Sequence, residues 1–322
     1  MHRRHFLGTL AAGAGASVLS PVHAQPSGFP SRPIRMLVGF APGGATDVAF
    51  RVLAQNAAGI LKQPVVVENK PGAGMVIPAQ LMQSTPPDGY TIAQVAVSVF
   101  RAPYLVKTNW DPLKDLKYII GLASYSFGLV VPASSPIRTL ADYLAYAKAR
   151  PGELSYGTPG TLSSPHLTME DLAFQAGVKF NHVPFKGGAE ALAALLGGHI
   201  MSLADGPSWA QHVESGQLRL LATGGETRSA RFSAAPTLRE LGYDIVQNAP
   251  FGLAAPRDTD PGVVRVLHDA FKRSMDMDNY RAALKQYDLD AAYLSSEQFT
   301  RFAAETTEKE GRLIDRIGLR KL

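Results

Sequence analysis

Two glycine-rich turns, each feeding a helix, hold the residues best suited to chemistry in this sequence. The first is Ala41-Pro42-Gly43-Gly44-Ala45-Thr46-Asp47, which follows an apolar run ending at Phe40. Thr46 is placed to cap the next helix, and Asp47 falls in its first turn, where a carboxylate complements the helix dipole. The second is Gly157-Thr158-Pro159-Gly160-Thr161-Leu162-Ser163-Ser164-Pro165-His166, with Ser164 as the expected N-cap and Pro165 as the first helical residue. Glycines leave backbone N–H groups uncovered. Each turn therefore offers free donors, small hydroxyls and the positive end of a helix. That is anion-binding chemistry. A helix end contributes roughly 0.3–1 kcal/mol and each hydrogen bond to a charged oxygen about 1.5–3 kcal/mol. Two such ends facing one carboxylate would reach ~8 kcal/mol, micromolar affinity, in a preorganised site. On spacing alone, tight connectors with good caps account for the same residues.

Other chemistries fit less well. Ser163, Ser164 and His166 are close in sequence and Asp205 is available to orient the histidine, so a secreted α/β hydrolase using Ser163 and His166 is the enzyme alternative. No Gly-x-Ser-x-Gly elbow supports it. Gly72-x-Gly74 follows an apolar run, but Ile77 stands where a dinucleotide fingerprint requires a third glycine or alanine. Outside the first 24 residues there are five histidines, and only His166 with Glu170 has helical i, i+4 spacing. That is an ordinary helix face, so neither a metal nor a cofactor is expected. Trp110 and Trp209 suit core packing, and Lys186 suits either a ligand carboxylate or the surface.

Strand-like and helix-like segments alternate around these turns. Strands are expected over 34–40, 64–68, 90–99, 129–132, 154–156, 180–184, 199–204, 218–223 and 251–255. Helices are expected over 46–62, around Ala79, over 139–149, from Pro165, over 189–196 and through the C-terminal region. This pattern predicts α/β layers with largely parallel strands. Two similar units each open with a strand, a glycine-rich turn and a helix, which places both turns at the edge of a sheet where ligands bind.

The opening residues read as an address. Arg3 and Arg4 precede a weakly apolar run over 6–19, and Val22-His23-Ala24 supplies small residues for cleavage after Ala24. This is the layout of a secretory signal peptide, 1–24. Arg3-Arg4 with Phe6-Leu7 resembles a twin-arginine leader, and a Sec leader is the alternative. No later apolar run approaches the ~18 residues of a membrane span. There is no cysteine, which excludes a lipid-modified cysteine and a disulfide framework. Removing Arg3 and Arg4 lowers the formal charge from +5 to +3, and no basic run of five or more residues exists, so nucleic acid is not an expected partner. Removing 24 residues leaves 298 of the 322, a length that favours two domains.

Six stretches carry a family resemblance: 38–47, Glu68-Asn69-Lys70-Pro71-Gly72-Ala73-Gly74, Pro87-Asp88-Gly89-Tyr90-Thr91, Asp111-Pro112-Leu113-Lys114-Asp115-Leu116, His182-Val183-Pro184-Phe185-Lys186-Gly187 and Phe251-Gly252-Leu253-Ala254-Ala255-Pro256. In that order they resemble the Bug-type solute receptors, the binding proteins of tripartite tricarboxylate transporters. The resemblance implies a two-lobed periplasmic-binding-protein fold, type II-like, with two doubly wound α/β domains joined by crossover strands. Lobe one is expected over 26–128 plus 252–322 and lobe two over 129–251. It implies a periplasmic, monomeric, non-enzymatic receptor that holds a small carboxylate and delivers it to membrane permease subunits. A ligand sensor for a signalling partner is the third reading.

The residues expected to bind ligand are Phe40, Pro42, Gly43, Ala45, Thr46 and Asp47 on one wall and Thr158, Gly160, Ser163 and His166 on the other. Asp205 is expected at the ligand's far side, joined by Arg101 as a second anion contact. Leu162 stands where the family usually has glycine, and Arg101-Ala102-Pro103 where it usually has an asparagine-proline pair.

Overall fold

A computed structural model describes residues 28–320. The expected leader and its cleavage site lie outside the described residues. From the N-terminal side the elements are β1 (Ile34–Val38), α1 (Ala45–Leu61), β2 (Val65–Asn69), α2 (Ile77–Leu81), β3 (Thr91–Ala96), α3 (Val97–Leu105), α4 (Pro112–Asp115), β4 (Leu116–Ser126) and β5 (Gly128–Pro132). Next come α5 (Leu140–Ala149), β6 (Ser155–Thr158), α6 (Ser164–Ala176), β7 (Asn181–Pro184), α7 (Gly188–Leu196), β8 (Ser202–Asp205), α8 (Ala210–Glu214) and β9 (Leu218–Thr223). The chain ends with β10 (Asn248–Pro256), α9 (Pro261–Met275), α10 (Asp278–Gln286), β11 (Asp290–Leu294) and α11 (Ser296–Arg316).

Two sheets result, in the orders β11-β4-β10-β3-β1-β2 and β7-β6-β8-β5-β9. Both are mixed rather than largely parallel. In the first, β1 runs parallel to β2 and β3, while β10 runs antiparallel to β3 and β4. In the second, β6 runs parallel to β7 and β8, while β5 runs antiparallel to β8 and β9. The antiparallel members are the strands by which the chain crosses over. β4 lies in the first sheet and β5 in the second, with Phe127 alone between them; β9 and β10 make the return. All of β10 from Asn248 belongs to the first sheet, so the expected division at residue 252 falls inside a strand.

Each sheet is covered on both faces. Ile34, Met36 and Phe251 pack with Phe50 of α1 and Leu267 and Phe271 of α9, while Leu37 and Val95 face Phe100 of α3 and Phe299 of α11. The second sheet has its own pair of cores, one around Leu129, Tyr143 and Leu172, the other around Val130, Leu203 and Trp209. Covering on both faces explains why β3 is buried along its whole length, its one side-chain amide, Gln94, accepting from the Gly39 N–H at 2.8 Å.

Several local expectations shift. The strand expected to reach Val99 stops at Ala96, and α3 takes over, because Phe100 and Ala102 find a core against α11 that outweighs the β-branched composition of Val97-Ser98-Val99. Helix α1 starts at Ala45 after Gly44, so Thr46 lies inside it and caps nothing. Ser163, not Ser164, caps α6 and accepts from the His166 backbone N–H.

Candidate functional site

Where the two sheets meet, a cleft opens between the start of α1 and the start of α7. Phe40, Ala41, Gly44, Ala45 and Thr46 line it from the first lobe; Gly188, Ala189 and the segment Asp205-Gly206-Pro207-Ser208 line it from the second, with Tyr125 of β4 at its back. The mouth is tight. A Cβ on Gly187 would sit 3.2 Å from the Ala41 Cβ. Gly188 is required by packing, since a Cβ there would fall 2.1 Å from Asp205 Oδ2.

The first turn is rigid because a polar network ties it down. Asp47 Oδ2 accepts from the Gly43 N–H and from Arg51 Nε, each at 2.9 Å, and its Oδ1 accepts from Asn69 Nδ2 at 2.7 Å. The same Asn69 amide donates to the Phe40 carbonyl at 2.9 Å. Asp47 is thus buried, spent on shaping the turn, and not among the residues that line the cleft. Gly43 takes φ of +86°, a conformation that glycine supplies without strain. Pro42 and Gly43 are exposed on the outer side of the turn. Of the six residues expected here, Phe40, Ala45 and Thr46 line the cleft.

Asp205 does face it. The carboxyl is 7% exposed and accepts from Ser208 Oγ at 2.6 Å. Burial pushes its pKa up to about 6, although the Ser208 hydroxyl and the Gly206 N–H pull the other way. Next to it, burial and then the charge of Asp205 hold the Tyr125 hydroxyl protonated, well above the usual phenol range. Trp209, expected to serve packing, does so against Gly128 and donates from Nε1 to the Asp205 carbonyl at 3.2 Å.

The second expected wall forms a separate buried cluster. Thr158 Oγ1 lies 2.7 Å from His182 Nε2, and Ser163 Oγ donates to the Gly160 carbonyl at 2.7 Å. His166 stacks on His182 with ring centroids 4.0 Å apart, and His182 stacks in turn on Tyr156 at 4.9 Å. Tyr156 donates to Glu170 Oε1 at 2.6 Å. Burial lowers the His166 pKa to about 3, with help from the charges of His182 and Arg101, and lowers that of His182 to about 4. None of these four expected residues borders the cleft that Asp205 lines. The Ser163 proton is committed to a carbonyl, and Asp205 belongs to the other site. The hydrolase triad therefore has no assembled geometry here.

Arg101 does not take the expected place as a contact in the cleft. It is wholly buried, stands 2.8 Å from Glu310 of α11, and donates to the Leu162 carbonyl at 3.1 Å and to Ser164 Oγ at 3.3 Å. All three partners are protein groups, so the guanidinium does not serve as a second anion contact in the cleft.

The start of α7 was missing from the sequence reading. Its signal was available: Phe185-Lys186-Gly187-Gly188-Ala189 repeats the glycine-glycine-alanine that follows Phe40 in the first turn, and it too leaves a strand. Tyr125 and Ser208 carried no signal, being placed only by the crossover of β4 and the turn after β8.

Two mixed α/β sheets joined by paired crossover strands, with a cleft between the sheets, define a two-lobed periplasmic-binding-protein fold. Residues 49–319 match the family described as tripartite tricarboxylate transporter family receptor, and the chain belongs to that family. It is 59% identical to the UPF0065 protein in the gbd 5' region of Cupriavidus necator, over 100% of this chain and 99% of that protein. The structure of the periplasmic binding protein BugD superposes with a TM-score of 0.87 at 26% identity, covering 91% of this chain and 100% of BugD. An R. palustris protein solved with adipate gives 0.85 at 28% identity, again over 91% of this chain and all of that one.

Proposed function

We propose that the chain is an extracytoplasmic receptor that binds a small carboxylate between its lobes and delivers it to the membrane permease of a tripartite tricarboxylate-type transporter. On this reading a leader over 1–24 directs export to the periplasm, the lobes divide near residue 128 and ahead of β10 at residue 248, and the receptor acts as a monomer without catalysis, metal or cofactor. The observation that carries it is the pair of helix starts, α1 at Gly44–Thr46 and α7 at Gly188–Ala189, opening on one cleft from opposite lobes. The first N–H groups of each helix have no partner within it, and both positive ends favour an anion. The family relative solved with adipate supports the same chemistry.

A thermal-shift screen of refolded, ligand-free protein tests this against monocarboxylates, dicarboxylates, hydroxy acids and amino acids. A true ligand at a hundred times its Kd adds ~2.7 kcal/mol of stability. No stabilisation by any carboxylate at millimolar concentration would rule the reading out.

Asp205 gives the far end of the cleft a pH-dependent preference. With its pKa raised to about 6, it is ionised at pH 7.5 and repels a second carboxylate, while a hydroxyl or ammonium finds an acceptor. At pH 5 it holds a proton and donates one instead. Dicarboxylate affinity is therefore expected to rise by up to ~tenfold per pH unit as pH falls towards 6, where one proton is taken up on binding. Isothermal titration at pH 5 and 7.5 measures this, and Asp205→Asn should abolish the dependence. Equal slopes in both proteins would remove Asp205 from the site.

A further inference from the structure

Helix α6 belongs to the second lobe by connectivity, but its first turn is buried in the first. Leu162 and Leu167 pack in the cluster that contains Leu37, Val95 and Phe100, whereas Met169 and Leu172 pack under the second sheet. The helix thus carries side chains into two cores. The turn in front of it is pressed against the first lobe: a Cβ on Gly74 would fall 2.6 Å from the Leu162 Cβ, and one on Gly160 would fall 3.2 Å from the Gly74 Cα.

Two arginines of the first lobe hold this helix. Arg101 spans from Glu310 to the Leu162 carbonyl and the Ser164 hydroxyl. Arg316, in the last turn of α11, donates to Asp171 Oδ2 at 2.7 Å, and Asp171 is only 5% exposed. Moving the second lobe away as a rigid body would uncover Leu162 and Leu167, strip Arg101 of two acceptors and leave the Asp171 carboxylate without its cation. The Arg101 contacts are fully sheltered, where charge-assisted bonds are stronger than their exposed counterparts. The Arg316 side chain is half exposed and adds less, so it is chiefly Arg101 that disfavours the separated arrangement even with the cleft empty.

We infer that Arg101 and Arg316 are positioning residues that latch α6 onto the first lobe, so that the two lobes stay together without ligand and the turn before α6 is held in register. The latch lies outside the cleft lining and acts whatever the ligand is. Its effect is a population shift, a bias of the ligand-free ensemble towards the closed arrangement.

The chain has no cysteine, so a spin-label pair is introduced cleanly at Gln55→Cys on α1 and Ala193→Cys on α7, both exposed. Distances are measured by double electron–electron resonance on refolded protein with no carboxylate added. The parent is expected to give one narrow distribution. The pair Arg101→Met with Glu310→Met should add a longer component, raising the open fraction from under ~10% to a majority, and Arg316→Gln should add a smaller one. The paired substitution removes the cross-lobe contacts without stranding a buried charge, so the fold survives it. Variants that keep the parent's distribution, or a parent that already shows the longer distance, would overturn the latch. A carboxylate screen that fails while the distances shift as expected would sink the ligand reading alone.

Discussion

Replacing Arg101 by alanine is expected to lower the unfolding free energy by about 3–5 kcal/mol, the usual cost of leaving a buried charge without its partner. Glu310 is 4% exposed and has no other cation beside it among the described ion pairs. Once the guanidinium is gone, its carboxylate must take up a proton or draw water into the core formed by Phe100, Phe299 and Ala303. At roughly 2–4 °C per kcal/mol for a chain of this class, the melting temperature should fall by on the order of 10 °C. Two controls separate this cause from simple loss of packing. Arg101→Met together with Glu310→Met removes both charges and should recover most of the loss. Arg35→Ala removes an exposed pair with Glu68 and should cost about 1 kcal/mol or less. An alanine variant that melts with the parent, or a double variant no better than the single, would show that the pair contributes little.

Arg101 also marks a limit of what the chain alone discloses. Its burial depends on Glu310, Leu162 and Ser164, which lie on α11 and at the start of α6, and no local pattern around residue 101 points to either. An arginine in isolation reads as a surface residue because desolvating it is costly; only a partner remote in sequence reverses that. The strands β4 and β11 were missed for a related reason. β4 follows only the single turn of α4 and passes into β5 through Phe127 alone, so it lacks the strand–turn–helix rhythm that revealed β1 and β6. What was legible was whatever local chemistry decides: the glycine turn at Gly43, the proline at Pro165, the apolar runs of β1 and β9, and the six stretches that carry the family. The first lobe's contribution to the cleft followed from that. The second lobe's did not, because two glycine-rich helix starts compete there, at Gly160 and at Gly187, and only the packing of β8 against β5 brings Asp205 to the second of them.

The stack of His166, His182 and Tyr156 should make the protein acid-sensitive in a way that one substitution can dissect. In the fold, burial lowers the His182 pKa to about 4 and that of His166 to about 3, whereas an exposed histidine titrates near 6.5. Between those values the unfolded chain binds protons at both rings and the folded chain does not, so the stabilising effect is complete above pH 6.5 and is lost as pH falls towards 4. Asp205 acts in the opposite sense between its ordinary range and about 6, because there the folded chain holds the extra proton; Asp288, half-buried and also raised, adds to that opposition. The parent's slope is therefore a difference, but the effect of removing one ring is not. His182→Gln keeps a group able to reach Thr158 Oγ1 and deletes one titration. The slope of stability against pH should then drop by about 1.4 kcal/mol per pH unit between pH 4.5 and 6. Urea unfolding at several pH values reads this directly, since the difference between parent and variant cancels every group that His182 does not touch; its neighbour His166, lowered to about 3, stays neutral over this range. Parallel lines for the two proteins would mean that His182 titrates normally in the folded state, which would in turn require the Tyr156–His182–His166 stack to admit water.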